Sequence, residues 1–161
     1  GEALCRAYSH LYGIDVAVLR FFSVYGPRGR PDMAIYHFAE QMMGGKAIQV
    51  FGDGSSSRDY TYVDDIIQGI VATTERKFGF EIFNLGESEI ICLRDLVGLI
   101  EKALGKKAKI APMPEQAGDV PKTFADITKA RRMLGYDPQT KIADGIPKFV
   151  EWYEREVRGK R

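Results

Sequence analysis

Metal chemistry has little material in this sequence. The two histidines, His10 and His37, lie far apart on segments patterned as helices, and no Cys/His ligand spacing of a zinc site occurs. Cys5 and Cys92 are the only cysteines, each within an apolar-patterned stretch, so reduced thiols in a cytoplasmic protein are expected rather than a disulfide. No apolar run approaches the roughly 18 residues of a membrane-spanning helix, and no basic-then-apolar signal opens the chain. Charge of one sign is lacking too: 23 Lys and Arg stand against 22 Asp and Glu, a net charge of +1. That balance argues against a polybasic surface for nucleic acid or membrane, so basic residues must be read one by one. Glycine-rich loops reduce to one, Gly52-x-Gly54, and it leads into the strand-like Arg58-Asp59-Tyr60-Thr61-Tyr62. A dinucleotide fingerprint must open a helix, so this loop reads as a turn between two strands.

What is present suits one α/β domain: 161 residues, 45% hydrophobic and 28% charged. Leu4, Ala7, Tyr8 and Leu11 keep helical spacing up to Gly13, so the chain is expected to begin inside a helix. Val16 to Phe22 is a nearly continuous apolar run, the pattern of a parallel strand covered on both faces. Asp32 is placed to cap a helix from about Met33 to Met43. Short strands are expected over Ile48 to Phe51 and Arg58 to Val63, then a helix capped by Asp64. A strand from Glu81 to Leu85 precedes a helix carrying Leu93, Leu96, Val97, Ile100 and Leu104. A Pro-rich loop from Ala111 to Pro121 leads to Asp126, which is placed to cap a short helix. The last helix, with Ile142, Ile146, Phe149, Val150 and Tyr153 on one face, is expected to kink at Pro147.

Three arginines sit where an anion could bind. Arg28 and Arg30 lie in the loop Gly26-Pro27-Arg28-Gly29-Arg30-Pro31-Asp32, just before a helix start, and Arg58 lies at a turn-to-strand junction. Guanidinium groups grip phosphate oxygens with two parallel bonds, and a helix start adds free backbone donors. Solvated loop arginines or structural ion pairs would give the same pattern. Asp119, in Gln116-Ala117-Gly118-Asp119-Val120, could accept hydrogen bonds from sugar hydroxyls or simply form a turn.

Taken in order, Leu19-Arg20-Phe21-Phe22-Ser23-Val24-Tyr25-Gly26-Pro27, Arg58 to Asp65, Phe83-Asn84-Leu85-Gly86, Gly118-Asp119-Val120 with Ala125-Asp126, and Leu134-Gly135-Tyr136 resemble the extended short-chain dehydrogenases acting on nucleotide sugars, the NAD-dependent epimerase/dehydratase family. Gly29 to Ala34 after Tyr-Gly-Pro is most similar to UDP-glucuronate 4-epimerases. The resemblance implies an α/β fold, the C-terminal substrate-binding half (1–161) of an extended Rossmann-type enzyme, with two strands belonging to its parallel sheet. It further implies that NAD is bound mainly by an N-terminal half absent here, with a Tyr-x-x-x-Lys pair just upstream and no catalytic residue in this chain.

Carried over by position, the resemblance assigns Arg58 to the pyrophosphate and the strand around Gln49 and Phe51 to uracil. It assigns Asp119 to ribose, Gln116 to a nearby contact, and Phe22 to the nicotinamide. Ser23, Arg30 and Met33 fall to the sugar side, with Ser23 and Arg30 as candidates for restraining a uronate carboxylate. The implied reaction is inversion at C4 of UDP-glucuronate or UDP-galacturonate through a 4-keto sugar. Another UDP-sugar epimerase, a dehydratase, a decarboxylase or a non-catalytic scaffold of the same fold stay open. The expected partners are a UDP-sugar and a second copy in a homo-oligomer, with neither nucleic acid nor membrane.

Overall fold

The computed structural model describes residues 1–159. The described residues fold as six α-helices and eight short strands, in the order α1 (Glu2–Tyr12), β1 (Val16–Phe21), β2 (Ser23–Tyr25), α2 (Ala34–Met43), β3 (Ala47–Phe51), β4 (Ser57–Arg58), β5 (Tyr60–Tyr62), α3 (Val63–Thr74), β6 (Phe80–Leu85), β7 (Ile91–Cys92), α4 (Leu93–Leu104), β8 (Lys109–Met113), α5 (Thr128–Leu134) and α6 (Ile142–Tyr153), with a π-helical turn over Glu154–Arg158. The strands meet in pairs. β1 runs parallel to β6 with Val16 opposite Phe80 and Phe21 opposite Leu85. β2 is parallel to β5, β3 is parallel to β8, and β4 is antiparallel to β7.

Two cores hold these pairs. One gathers α2, α4 and α6 around Ile48, Tyr25 and Tyr62, with Phe149, Ile100 and Ile146 almost wholly buried. Tyr36, Phe149, Trp152 and Tyr153 contact one another there edge-on or tilted, arrangements that aromatic quadrupoles favour. The other core packs α3 and α5 on β6 through Ile66, Phe83, Leu85, Leu134 and Tyr136. Tyr136 is fully buried, and its hydroxyl donates to the Gly86 carbonyl at 3.0 Å, so its one polar atom is satisfied.

A buried carboxylate ties the strand pairs together. Asp59, fully buried between β4 and β5, accepts hydrogen bonds from the backbone N–H groups of Glu87, Ser88 and Ala125 at 2.8–3.0 Å. Burial raises its pKa, and those donors oppose the shift. Gly86 is required by this arrangement. A Cβ there would lie 2.3 Å from that of Ala125 and 3.2 Å from the Asp59 oxygens.

Several expectations need correction. β1 is only partly covered, with Phe21 49% exposed, because α1 and α3, the helices packed on it, leave its end in solvent; among the described residues its one paired strand is β6. The Pro-rich stretch is not loop from Ala111: β8 runs to Met113, and Pro112, which has no N–H to give, sits in it opposite Val50. Asp32 does not cap α2; Met33 holds that position, and Asp32 pairs with Arg30. Asp64 lies inside the first turn of α3, behind Tyr62 at the cap. Asp126 does meet the start of α5, accepting from the Thr128 N–H at 3.0 Å, though Ile127 is the boundary residue. α6 continues through Pro147. Both cysteines are free thiols, and among the described residues no helix is long and apolar enough to cross a membrane.

Candidate functional site

β3 supplies the floor of a cleft. Strand alternation sends Ile48 into the core, fully buried, and leaves Gln49 and Phe51 on the opposite, exposed face. The turn after β3 is shaped by Asp53, which accepts the Ser55 N–H at 2.8 Å while its own carbonyl takes a bond from Arg94. Gly54 and Ser56 carbonyls accept the N–H groups of Arg94 and Leu93, so the start of α4 is already satisfied by this turn. Gly52-x-Gly54 thus leads to β4, as a turn rather than a dinucleotide loop.

From β4, Arg58 projects into an open cleft of about 280 Å³ lined also by Gln49, Phe51, His37, Tyr60 and Asp119. Its Nη2 donates to Asp119 Oδ1 at 2.5 Å and its Nη1 to the Ser57 carbonyl at 3.0 Å. The Arg58 side chain is 20% exposed and that of Asp119 49%, a pair at the edge of solvent. Burial pushes the Tyr60 hydroxyl pKa up, against the nearby Arg58 charge, so it stays a neutral hydrogen-bonding group.

The loop bearing Asp119 is fastened at both ends. Gly52 N–H bonds to Met113, and Ser57 exchanges backbone bonds with Pro121 and Thr123. Between them Gly118 takes φ 86, which a side chain would resist, and the Asp119 N–H closes the turn on the Gln116 carbonyl at 3.1 Å. A second cleft of about 230 Å³ opens beneath this turn, with Gln116 on its wall and Phe51, Ser56 and Asp119 shared with the first. A small cavity of about 20 Å³ lies on the other side. It is lined by Val24, Arg30 and Met33 and shares Ala34 and Tyr60 with the arginine cleft.

Seven of the nine residues singled out from sequence, Arg30, Met33, Gln49, Phe51, Arg58, Gln116 and Asp119, therefore fall on three adjoining cavities. Arg30 reaches them only from the rim: its side chain is 74% exposed and forked onto Asp32. Ser23 and Phe22 line none of the three. Phe22 packs on the second core with its N–H on the Leu85 carbonyl, and the Ser23 N–H bonds to Asp59. His37, Tyr60 and Ser56 were missed. The sequence places His37 on a helix-patterned segment without a role, and only the packing of α2 beside β3 brings it to the cleft.

Parallel strand pairs flanked by helices, with Arg58 in a cleft at a strand edge, define a Rossmann-like α/β protein. The sequence model of the NAD dependent epimerase/dehydratase family matches residues 1–86, just over half of the chain, and the chain belongs to that family. It is 45% identical over 152 residues to an uncharacterised protein of Methanocaldococcus jannaschii, covering 94% of this chain and 47% of that one. It is 41% identical over 157 residues to UDP-glucuronate 4-epimerase of Thermodesulfobacterium geofontis, covering 97% and 48%. The crystal structure of UDP-glucuronic acid 4-epimerase from Bacillus cereus, in complex with UDP-glucuronic acid and NAD, superposes with a TM-score of 0.90 at 38% identity, over 96% of this chain and 50% of that one. The chain spans about half the length of the curated relatives it matches.

The family match corrects the expected division of labour. It falls on the front of this chain, residues 1–86, which contains both strands of the long parallel pair β1 and β6. A Rossmann-like part of the NAD dependent epimerase/dehydratase fold is therefore present. The expected C-terminal substrate-binding half with its cofactor part wholly absent does not hold, because the family match covers the front of the chain.

Proposed function

We propose that this chain belongs to an NAD-dependent epimerase that inverts C4 of a UDP-hexuronate, UDP-glucuronate or UDP-galacturonate, through a 4-keto sugar. The observation that carries the reading is the Arg58 guanidinium in a cleft floored by Gln49 and Phe51. A nucleoside diphosphate presents the matching features, a flat base beside charged phosphate oxygens. Arg58 binds the diphosphate, the exposed face of β3 lies along the base, and Asp119 accepts from the ribose hydroxyls. Gln116 stands on the wall of the adjoining cleft, beside the ribose. Gripping the nucleotide while the hexose stays loose lets either ring face turn toward the cofactor.

Bound NAD would supply hydride acceptance and return at C4. The residues here fit one side of such a group: Phe21 ends β1 and Phe22 follows it at the carboxyl edge of the parallel pair, where open α/β folds receive ligands, and Phe21 offers an exposed ring. A uronate brings a second demand. Its 4-keto form is a β-keto acid and loses carbon dioxide when the carboxylate bond aligns with the carbonyl π system. Arg30, turning from Asp32 at the rim of the Met33 cavity, and Ser23 at the start of β2 hold the carboxylate out of that alignment.

Calorimetric titration with UDP tests the reading. Arg58→Ala is expected to weaken UDP by about 1.5–3 kcal/mol, the scale of a hydrogen bond to a charged group, and UDP-glucuronate by a similar amount. Unchanged affinity for both would make Arg58 a structural residue and remove the diphosphate from this cleft.

A further inference from the structure

We infer that Asp119 is an internal counter-ion for Arg58, and that it sets the charge a ligand must bring to enter the cleft. The inference rests on the reading of Arg58 as the anion-binding group. Two donors of that guanidinium are already engaged, one by the Ser57 carbonyl and one by the Asp119 carboxylate. Ser57 is in turn bonded to Pro121 and Thr123, on the same loop that carries Asp119. Arginine and loop are therefore one clamp, fixed on one side by backbone bonds and on the other by a single ion pair.

An arriving anion meets this clamp closed. To reach Nη2 it must displace Asp119 Oδ1 or approach that negative oxygen closely, and like charges at such distances repel. A weakly charged ligand exchanges one carboxylate bond for another and gains little. A diphosphate gains more Coulomb energy from Arg58 than the aspartate supplied, so the aspartate yields. The Asp119 side chain is half in solvent and follows a glycine at φ 86, so it can swing aside while the Pro121 and Thr123 anchors hold. Once released, the carboxylate is free to meet a neutral hydroxyl donor.

Inorganic pyrophosphate and uridine separate the two halves of the ligand, and calorimetric titration at fixed low ionic strength reads each. Asp119→Asn is expected to tighten pyrophosphate about twofold to fivefold, the span that an ion pair near the surface converts to. Uridine should not tighten, and Asp119→Glu should return pyrophosphate to the wild-type affinity. Unchanged or weaker pyrophosphate binding by Asp119→Asn, with binding still lost in Arg58→Ala, overturns the counter-ion and leaves Arg58 as the anion group. Equal pyrophosphate affinity in wild type and Arg58→Ala overturns both.

Discussion

Helices α1 and α4 carry the same signals in sequence and meet opposite fates. Each is 11 or 12 residues long, each ends on a left-handed glycine, Gly13 or Gly105, and each is strongly amphipathic. α4 buries Leu96, Val97 and Ile100 against α2 and α6. α1 buries nothing: Leu4 is 62% and Leu11 68% exposed, on the stripe that Tyr8 shares. Periodicity states that a helix has an apolar face; it does not state what covers it. The difference lies in neighbours, since α4 is wedged among helices while α1 lies along one side of β1, tied by the Arg20–Glu2 pair.

The strongest test of that contrast is in α4. Ile100 is fully buried, so Ile100→Ala removes apolar contact and leaves a cavity that its neighbours fill only partly. A loss of about 2–5 kcal/mol is expected in urea unfolding, against almost none for Leu11→Ala in α1. Comparable losses at both sites would mean that the α1 face is covered after all.

A smaller effect separates the two helices by pH. Glu101 near the end of α4 takes the Lys107 ammonium at 2.7 Å and the Ala108 N–H at 2.8 Å, and these two, the lysine first, hold its pKa below the usual carboxylate range. A carboxylate depressed in the folded state stabilises it above its unfolded pKa, and that contribution disappears as pH falls through the folded value. The urea midpoint of wild type should therefore exceed that of Glu101→Gln at pH 7, and the gap should close toward pH 3. Glu2 on α1, lowered by Arg20, obeys the same sign, but both groups stand in solvent and the gap for Glu2→Gln should fade in high salt. A gap for Glu101 that persists unchanged at pH 3 would assign its role to packing instead.

The same contrast explains how much of the molecule was legible in advance. Helices α1, α3, α4 and α6 stand out in the sequence because their apolar residues recur every three or four positions, a property of the helix itself. β2, β7 and β8 do not, because strands of two to five residues become strands only when a distant partner arrives: Ser23 needs Tyr60, Ile91 needs Arg58, and Pro112 needs Val50. In the site, Arg58 and Asp119 were legible as chemistry but not as a pair, being 61 residues apart. Asp59 reads in sequence as a strand residue inside the Arg58 to Asp65 motif. Its burial and its three backbone partners follow from the packing of Gly86 and Ala125 around it, which no local pattern encodes.

The smallest change in stability should come with a large change in association. Leu4, Tyr8 and Leu11 form a contiguous exposed apolar stripe, with Tyr12 67% exposed beside it, and surfaces of this kind favour contact with another surface over contact with water. Replacing Leu4 and Leu11 together by Ser removes none of the buried contacts of either core, so unfolding should shift by no more than about 0.5 kcal/mol for each change. Sedimentation across a concentration series gives the other readout. The wild-type chain is expected to grow heavier with concentration, while Leu4→Ser with Leu11→Ser stays monomeric over the same range. If both sediment as monomers throughout, the α1 stripe tolerates water and its amphipathic pattern reports the flank of β1 alone; if both associate equally, the contact lies elsewhere, with the exposed Ile67 and Val71 of α3 as the next pair to change.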